Sequence, residues 1–174
     1  MSDMEALLAL QDEDVLRGQL EYRRARLPEG DALVAVRAAR TATTAEVEGL
    51  QVQRLDQARR QHRLEGDVAA IEVRLGELDQ RLYGSAITSP KEATALQNEI
   101  EGLRRRQDDL EGEVLEIMEV LEPVEYRLDE LAAAGLAGDA EIEGARAALV
   151  DAEALIDGEL VESAIRREAA VGSL

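Results

Sequence analysis

The stretch LQNEIEGLRRRQDDLEGEVLEIMEVLEPVEYRLDEL, residues 96–131, decides the fold of this chain. Apolar side chains recur in it at alternating steps of four and three residues, and only one member of the series, Gln107, is polar. The series consists of Leu96, Ile100, Leu103, Gln107, Leu110, Val114, Ile117, Leu121, Val124, Leu128 and Leu131. A heptad repeat sustained over this length is typical of a coiled coil.

The same repeat extends on both sides of this stretch. Toward the C-terminus it continues through Gly135 and Gly138 and then through Ile142, Ala145, Leu149, Ala152 and Ile156. In the first half of the chain a matching series is formed by Leu64, Val68, Ile71, Leu75, Leu78 and Leu82. Two series of this kind in one chain indicate two long helices that bury their apolar stripes against each other.

Before residue 64 the repeat is less regular. The strict phase passes through Gln61, Gln57 and Arg54 before it reaches Leu50 and Val47. A shifted phase is more apolar, and it passes through Leu55, Ala58 and His62. We interpret the shift as a stutter, where the buried stripe drifts by part of a turn.

The segment Gly84-Ser85-Ala86-Ile87-Thr88-Ser89-Pro90 separates the two series. Gly84 is expected to end the first helix in the left-handed conformation. Ser89 is expected to cap the next helix, with Pro90 at its first position and Glu92 completing a capping box. So short a link requires antiparallel helices, in which the numbers of facing residues add up to about 173 for a turn centred near Ala86.

Two segments that disfavour helix interrupt the repeat, and the pairing rule places them at nearly the same distance from the turn. Pro28 and Gly30 lie in the segment 27–32, and Gly135 and Gly138 lie in the segment 135–140. Because proline and glycine disfavour helix interiors, the sequence predicts a kink there. The prediction is an all-α, elongated antiparallel coiled-coil hairpin with arm one at 2–83, a tip at 84–89 and arm two at 90–170.

The N-terminal part of arm one is expected to form its own helix. Residues 2–5, Ser-Asp-Met-Glu, resemble a capping box. The apolar residues Leu8, Val15 and Tyr22 follow it at heptad spacing, and we expect them to pack against residues from about Ile142 to Ile165.

Composition excludes several classes of function. With 38 acidic against 20 basic residues, the formal net charge is -18, which repels nucleic acid and anionic membranes over most of the chain. Cysteine is absent, which excludes disulfides and Cys-based metal sites within these residues. The N-terminus is acidic, unlike a signal peptide, and no apolar run is long enough to span a bilayer. The expected location is the cytoplasm.

No constellation of catalytic residues stands out. His62 is the only histidine and has no Cys or second His beside it, so it is expected to be a solvated or seam-edge residue. Carboxylates are numerous, as on any wetted helix, and none forms an evident acid–base pair. The sequence therefore predicts no enzyme and no cofactor bound by this chain.

Clusters of arginine suggest contacts with phosphate groups as one alternative. The candidates are Arg59, Arg60, Arg63, Arg104, Arg105 and Arg106, and further clusters lie at residues 23–26 and 166–167. The pairing rule places Arg59 and Arg60 near Glu113 and Glu111, so ion pairs on a solvated face explain the clusters at least as well. No aromatic residues interleave them, which argues against a base-stacking platform.

Two places on the predicted hairpin are candidates for binding protein partners. The tip carries Tyr83, Ile87 and Lys91, beyond what a turn requires. On the flank of arm two, Leu115 and Met118 lie one residue off the apolar series and widen the apolar face. The alternative for this pair is that both side chains pack against the stutter near Leu55 and Ala58.

The turn and its surroundings resemble a known family. The segments Arg81–Gly84, Ile87–Ile100 and Leu110–Glu119, together with Leu7–Asp12, are similar to bacterial proteins that combine a coiled-coil hairpin with a C-terminal four-cysteine zinc ribbon. The similarity spans nearly the whole chain and is most specific from Arg81 to Glu119.

The resemblance implies a kinked helical hairpin and a role as an adaptor or chaperone in flagellar or type III secretion, with association to a sigma factor or RNA in some members. The present chain departs from the family pattern because it ends at Leu174 without the ribbon. It is expected to be a segment of a longer protein or a member without that module, and zinc is expected only if a ribbon follows.

From these observations we expect a non-catalytic adaptor or scaffold that binds protein partners through its tip and flanks. The alternatives are a nucleic-acid-associated protein that uses the arginine clusters together with a zinc ribbon, and a passive spacer or self-assembling rod. The sequence leaves the choice between monomer and homodimer open.

Overall fold

The computed structural model describes residues 3–84 and 89–173, and every regular element in these ranges is a helix. Helix α1 spans Asp3–Arg24, α2 spans Pro28–Tyr83 and α3 spans Pro90–Val171. Helices α2 and α3 form the predicted antiparallel hairpin. The fold class inferred from the heptad repeats is therefore confirmed.

The helix ends follow local chemistry. Each helix carries acidic residues in its first turn, where they interact favourably with the positive end of the helix dipole. At the start of α3 the Ser89 hydroxyl accepts a hydrogen bond from the backbone N–H of Glu92 at 3.3 Å, and Pro90 is the first helical residue. The predicted N-cap of this helix is confirmed. The predicted capping box at residues 2–5 includes Ser2, which lies outside the described residues.

Gly84 ends α2 in a different way from the one predicted. Among the described residues no glycine has a positive φ, so the expected left-handed conformation is wrong. Instead, the Gly84 N–H donates to the Gln80 carbonyl at 2.9 Å, and a Cβ at this position would lie 2.6 Å from that same oxygen. The glycine is required because a carbonyl occupies the place of a side chain.

The internal contacts of the chain define two compact units. Unit 1 comprises Met1–Thr44 and Ala133–Leu174, and unit 2 comprises Ala45–Ala132.

In unit 2 the predicted seam, which is the stripe of heptad positions a and d, is the core. Every α3 position predicted in residues 96–131 is buried or half-buried, and so are all six α2 positions predicted in residues 64–82. Leu78, Leu96 and Ile100 form the central cluster, with Leu75, Leu82 and Leu103 packed against it. The pairing rule places Leu75 opposite residues near 98, and Leu75 does pack against the cluster that contains Leu96 and Ile100.

The interpretation of a stutter in α2 is wrong. Leu55, Ala58 and His62 are all exposed, whereas the strict-phase residues Gln57 and Gln61 are half-buried. The strict repeat continues back to Leu33, with only Arg54 exposed along it. The register of a long helix is set by all of its turns together, so one turn with two glutamines does not shift the phase.

Ion pairs line one flank of the seam in unit 2. Arg60 pairs with Glu113, Arg74 with Glu99, Arg81 with Glu92 and Arg127 with Glu46, at 2.8–3.9 Å. In each pair the two residue numbers add up to 173, as the turn predicts. All eight residues occupy heptad position g, the position just before an a residue, and we call this side the g flank.

In unit 1, α1 packs against the C-terminal part of α3, as predicted. Arg24 binds Asp157 at 2.7 Å, and Asp14 binds Arg167 at 2.7 Å. The residues expected to make this contact are wrong, however. Leu8, Val15 and Tyr22 are all more than half exposed, and the buried or half-buried residues of α1 are Ala6, Ala9, Leu10, Glu13, Leu16 and Leu20.

The stripe was missed because alanine and glutamate occupy its early positions. Glu13 is held in it by two partners on α3: Ser163, which is buried, donates to Glu13 Oε2 at 2.7 Å, and Arg166 donates to Oε1 at 2.6 Å. These two hydrogen bonds lower the pKa of Glu13. A charged residue is tolerated at a seam position because both of its oxygens are satisfied.

Of the two segments where a kink is predicted, only the one in the first arm lies beside a break in the helix within the described residues. The chain leaves the helix at residues 25–27 between α1 and α2, whereas α3 continues as a helix through residues 135–140. Opposite the two glycines lies Arg40, which occupies a seam position of α2. Its guanidinium contacts the open face of Gly135 and donates to Asp139 at 2.7 Å. Glycine at 135 and 138 therefore makes room for an arginine in the seam.

Candidate functional site

The tip residues predicted to bind partners are only partly described. Tyr83, the last residue of α2, has 84% of its surface exposed. Lys91, the second residue of α3, is also exposed. Ile87, the third predicted residue, lies outside the described residues. A role of the tip in binding stays a prediction.

The arginine clusters divide into paired and unpaired residues. Arg59 lies 3.9 Å from Asp56 on its own helix, and Arg60 binds Glu113 across the seam at 3.1 Å. In the described part of the chain, Arg63, Arg104, Arg105 and Arg106 have no carboxylate within 4.0 Å. The clusters of unit 1 are paired: Arg23, Arg24, Arg166 and Arg167 each lie within 4.0 Å of a carboxylate, and Arg26 lies over the Tyr22 ring at 3.8 Å.

Within residues 3–84 and 89–173, no cluster of three or more metal-ligating side chains is formed. His62 is exposed at the edge of a shallow groove beside Arg60 and Arg63. None of the described helices is apolar enough over a sufficient length to cross a bilayer.

Leu115 and Met118, the predicted flank, are exposed side chains beside the packed seam. They are 60% and 52% exposed, respectively. The alternative that they pack against Leu55 and Ala58 is wrong, because those two residues are exposed as well. Met118 occupies heptad position e, just after a d residue, and Leu115 occupies the neighbouring position b. We call this side of unit 2 the e flank.

Two adjoining grooves lie along the e flank, and Leu115 lines both. The first, of about 380 Å³, has a floor formed by Val68, Ala69, Val114 and Leu115. The second, of about 550 Å³, runs along Leu115, Met118 and Leu121 and reaches Gln61 on the opposite helix. Together they form a continuous apolar strip between α2 and α3, and we call it the e-flank groove.

The rim of the e-flank groove is acidic throughout. In the part of the chain that the structure describes, six glutamates line it and no Arg or Lys does: Glu65, Glu72, Glu111, Glu119, Glu122 and Glu125. None of the six has a basic partner within 4.0 Å among the residues that the structure describes. Two seam amides donate hydrogen bonds to three of them: Gln61 to Glu65 at 2.8 Å, and Gln107 to Glu111 at 2.9 Å and to Glu72 across the seam at 3.5 Å.

Sequence reasoning found the apolar part of this groove and missed its acidic rim. Glutamate is so common in the chain that no single one stood out. The heptad repeat does indicate this rim. Once positions a and d are assigned, Glu65 and Glu72 on α2 and Glu111 on α3 fall on position e. Positions e and g flank a coiled-coil seam, so an acidic surplus on one flank is readable.

A family model and two proteins of Mycobacterium tuberculosis match this chain. The model of the "CT398-like coiled coil hairpin domain" matches residues 10–174. Two uncharacterized proteins of Mycobacterium tuberculosis, Rv2229c of strain H37Rv and MT2288 of strain CDC 1551, are each 29% identical over 162 residues. The match covers 93% of this chain and 63% of each relative, so the chain spans less than two thirds of their length.

A solved structure from Mycobacterium smegmatis has the same fold. It superposes with a TM-score of 0.84 at 25% identity, over 99% of this chain and 71% of that one. The agreement extends over both units.

Proposed function

This chain belongs to the CT398-like coiled-coil hairpin domain family, and from that premise we propose that it is a non-catalytic adaptor or scaffold that binds protein partners. One observation carries the proposal: Leu115 and Met118 remain exposed beside a seam that is otherwise packed. Large apolar side chains grouped on a soluble helix typically mark a surface that a partner covers. The tip, with Tyr83, is the second proposed contact.

The test is recovery of partners from a lysate of the source organism, with the purified chain as bait. The flank variant combines Leu115→Gln and Met118→Gln, and the tip variant combines Ile87→Asp and Lys91→Glu. The matched control is Val73→Gln, since Val73 is an equally exposed apolar residue of unit 2. We expect at least one protein to be recovered by the unchanged chain and the control but lost with one of the two variants. Equal recovery with all four baits would overturn the proposal.

The second candidate function is association with nucleic acid. It is favoured by Arg63 and by Arg104–Arg106, which have no carboxylate partner among the described residues. Binding of this kind must weaken steeply as salt rises, because it depends on the release of counterions from phosphate. A salt titration with labelled RNA and DNA tests it, and no binding at low salt would remove it for these residues. The zinc ribbon and secretion-adaptor role implied by the resemblance stay predictions.

A further inference from the structure

We propose that the e-flank groove of unit 2 binds a basic amphipathic helix of a protein partner. This inference rests on the proposed function and specifies the chemistry of its ligand.

The first observation is that, among the described residues of unit 2, ion pairs between α2 and α3 close only one flank of the seam. On the g flank, four Arg–Glu pairs recur between α2 and α3, from Glu46–Arg127 near one end of unit 2 to Arg81–Glu92 near the other. Among the described residues no basic side chain lines the e-flank groove; Arg104, the basic residue at position e of unit 2, lies in a separate groove nearer the tip, beside Asp79 and Gln97. In a two-helix coiled coil both flanks usually carry charge pairs that complete the interface. The e flank is therefore incomplete by itself.

The second observation is an apolar floor at a place where a third helix would fit. The groove between two packed helices is the position that a further helix takes in a three-helix coiled coil, with its own apolar stripe directed at both neighbours. Here the floor is formed from both helices, with Val68 and Ala69 on α2 and Val114 and Leu115 on α3. Met118 extends it by one helical turn. A ligand with side chains at i, i+3, i+4 and i+7 matches such a strip.

The third observation determines the charge of the ligand. The six glutamates of the rim have no basic partner among the described residues, and they stand on both sides of the apolar floor. A helix with Lys or Arg on both sides of its apolar stripe would pair with them, as position e and g charges do between coiled-coil helices. A helix with acidic flanks would be repelled.

The same charge argues against other occupants. A second copy of this chain carries the same net charge of -18 and would bring its own glutamates to the rim. Nucleic acid is polyanionic and would be repelled by six carboxylates. A basic helix is the occupant whose charge and apolar pattern both match.

The experiment measures binding of fluorescently labelled synthetic peptides to the full chain by fluorescence anisotropy. The probe is a Leu/Lys peptide of about 20 residues, long enough to form a helix on binding, with one apolar stripe. The first comparison peptide has the same composition but no stripe, and the second has Glu in place of Lys. We expect the probe to bind and both comparison peptides to bind at least about tenfold more weakly. The unstriped peptide loses the burial of roughly two methylene groups or more, and the Glu peptide is repelled by the acidic rim.

Two sets of chain variants locate the binding. The Leu115→Gln, Met118→Gln pair replaces the two exposed apolar side chains of the floor without changing charge, and we expect it to weaken probe binding at least about tenfold. Val73→Gln is its control.

The triple variant Glu65→Gln, Glu72→Gln, Glu111→Gln removes negative charge from the rim. It is compared with the triple variant Glu48→Gln, Glu116→Gln, Glu141→Gln. The second triple changes the net charge equally at exposed, unpaired glutamates among the described residues, so only the rim triple should weaken binding.

Several results would overturn the inference. Equal weakening by both glutamate triples would show that the probe follows net charge alone. Equal binding of the striped and unstriped peptides would show that the apolar floor is not used. Sedimentation that reveals a dimer, abolished by the Leu115→Gln, Met118→Gln pair, would assign the groove to a second copy.

The outcome is separable from that of the proposed function. If the flank variant loses a partner from the lysate but the striped probe does not bind, the adaptor function stands and the basic helix is the wrong ligand. If neither partner nor probe depends on Leu115 and Met118, the groove is rejected as a binding surface. Circular dichroism and thermal unfolding of each variant confirm that the helices are intact before binding is compared.

Discussion

Arg40 lies directly over Gly138 in unit 1: its Cδ atom is 3.2 Å from the place where a Cβ on the glycine would stand. The guanidinium is held there by hydrogen bonds to both oxygens of Asp139. A side chain at residue 138 would compete with Arg40 for this space, and the arginine has little freedom to move without losing Asp139.

We expect Gly138→Leu to lower the free energy of unfolding by about 1–3 kcal/mol, because the added side chain overpacks the seam. Gly144→Leu is the matched control, since nothing lies within 4 Å of the position of its Cβ. That change is expected to raise stability by up to about 1 kcal/mol, because leucine favours the helix more than glycine does. Urea unfolding followed by far-UV circular dichroism measures both, and equal effects would refute the packing of Arg40 described above.

Gly84→Ala is expected to destabilise the end of α2 by about 1 kcal/mol or more, because a Cβ would collide with the Gln80 carbonyl. Gly76→Ala is the comparison within the same helix, where the added methyl meets nothing within 4 Å. There the substitution should stabilise by about 0.5–1 kcal/mol. Thermal unfolding of the two variants should thus shift in opposite directions; a stabilised Gly84→Ala would contradict the observed helix end.

The phase of the α2 seam gives a third prediction. Gln57 is half-buried at a seam position, so Gln57→Leu should stabilise by about 1 kcal/mol through added apolar burial. Leu55 lies on the exposed side, and Leu55→Gln should change stability by less than about 0.5 kcal/mol. If Leu55→Gln instead lowers the free energy of unfolding by about 2–4 kcal/mol, as expected for a core leucine, then Leu55 is buried and the shifted phase is the correct one. Urea midpoints of the two variants decide the question.

Pro123 lies inside α3 on an exposed face, where it cannot donate the usual hydrogen bond to the carbonyl four residues earlier. We expect Pro123→Ala to raise the free energy of unfolding by about 1–3 kcal/mol, because the missing donor is restored and the ring no longer crowds the preceding turn. Glu116→Ala is a control on the same helix with little expected change. Thermal unfolding measures both, and a lower melting temperature for Pro123→Ala would show that the helix depends on the proline.

The Glu13 contact in unit 1 predicts a dependence on pH. Its hydrogen bonds with Arg166 and Ser163 lower the pKa of Glu13 below the ordinary value of 4.5. A group whose pKa is lowered by folding stabilises the folded state above its unfolded pKa, and this contribution is lost as the pH falls through the folded pKa. The stability advantage of the unchanged chain over Glu13→Gln should therefore be full at neutral pH and shrink below about 4.5.

The measurement is the urea midpoint of both proteins over a series of pH values. Glu141→Gln is the control, because Glu141 is exposed and makes no ion pair in the described ranges. Its difference from the unchanged chain should stay small throughout. A Glu13→Gln difference that does not change between neutral and acidic pH would mean that the ionised carboxylate contributes nothing.

Burial could be predicted from the sequence where many turns of a helix repeat one pattern. It could not be predicted where the packing of a single residue determines which face is buried. The seam of α3 could be predicted position by position because each apolar residue supports the same phase. The stripe of α1 was misread because Leu8 and Val15 are more apolar than Ala6 and Glu13, although the latter pair is the one covered by α3. Burial of a glutamate requires partners such as Ser163, 150 residues away in the chain.

The e-flank groove could likewise be predicted only in part from the sequence. Leu115 and Met118 were predicted from their place beside the seam, but whether the opposite helix covers them depended on the phase of α2, which one weak turn left ambiguous. The acidic rim draws on both helices and becomes a single surface only when the register of the hairpin is known.

The amino-acid sequence alone determined that two long helices fold back on each other, where the turn lies and which stripe of α3 is buried, because these features arise from interactions repeated at every heptad. The tertiary structure alone decided that Leu115 and Met118 are left uncovered by the opposite helix, and that Arg40 takes the space above two glycines. These features depend on the distance between side chains on different helices, which no pattern within one helix contains.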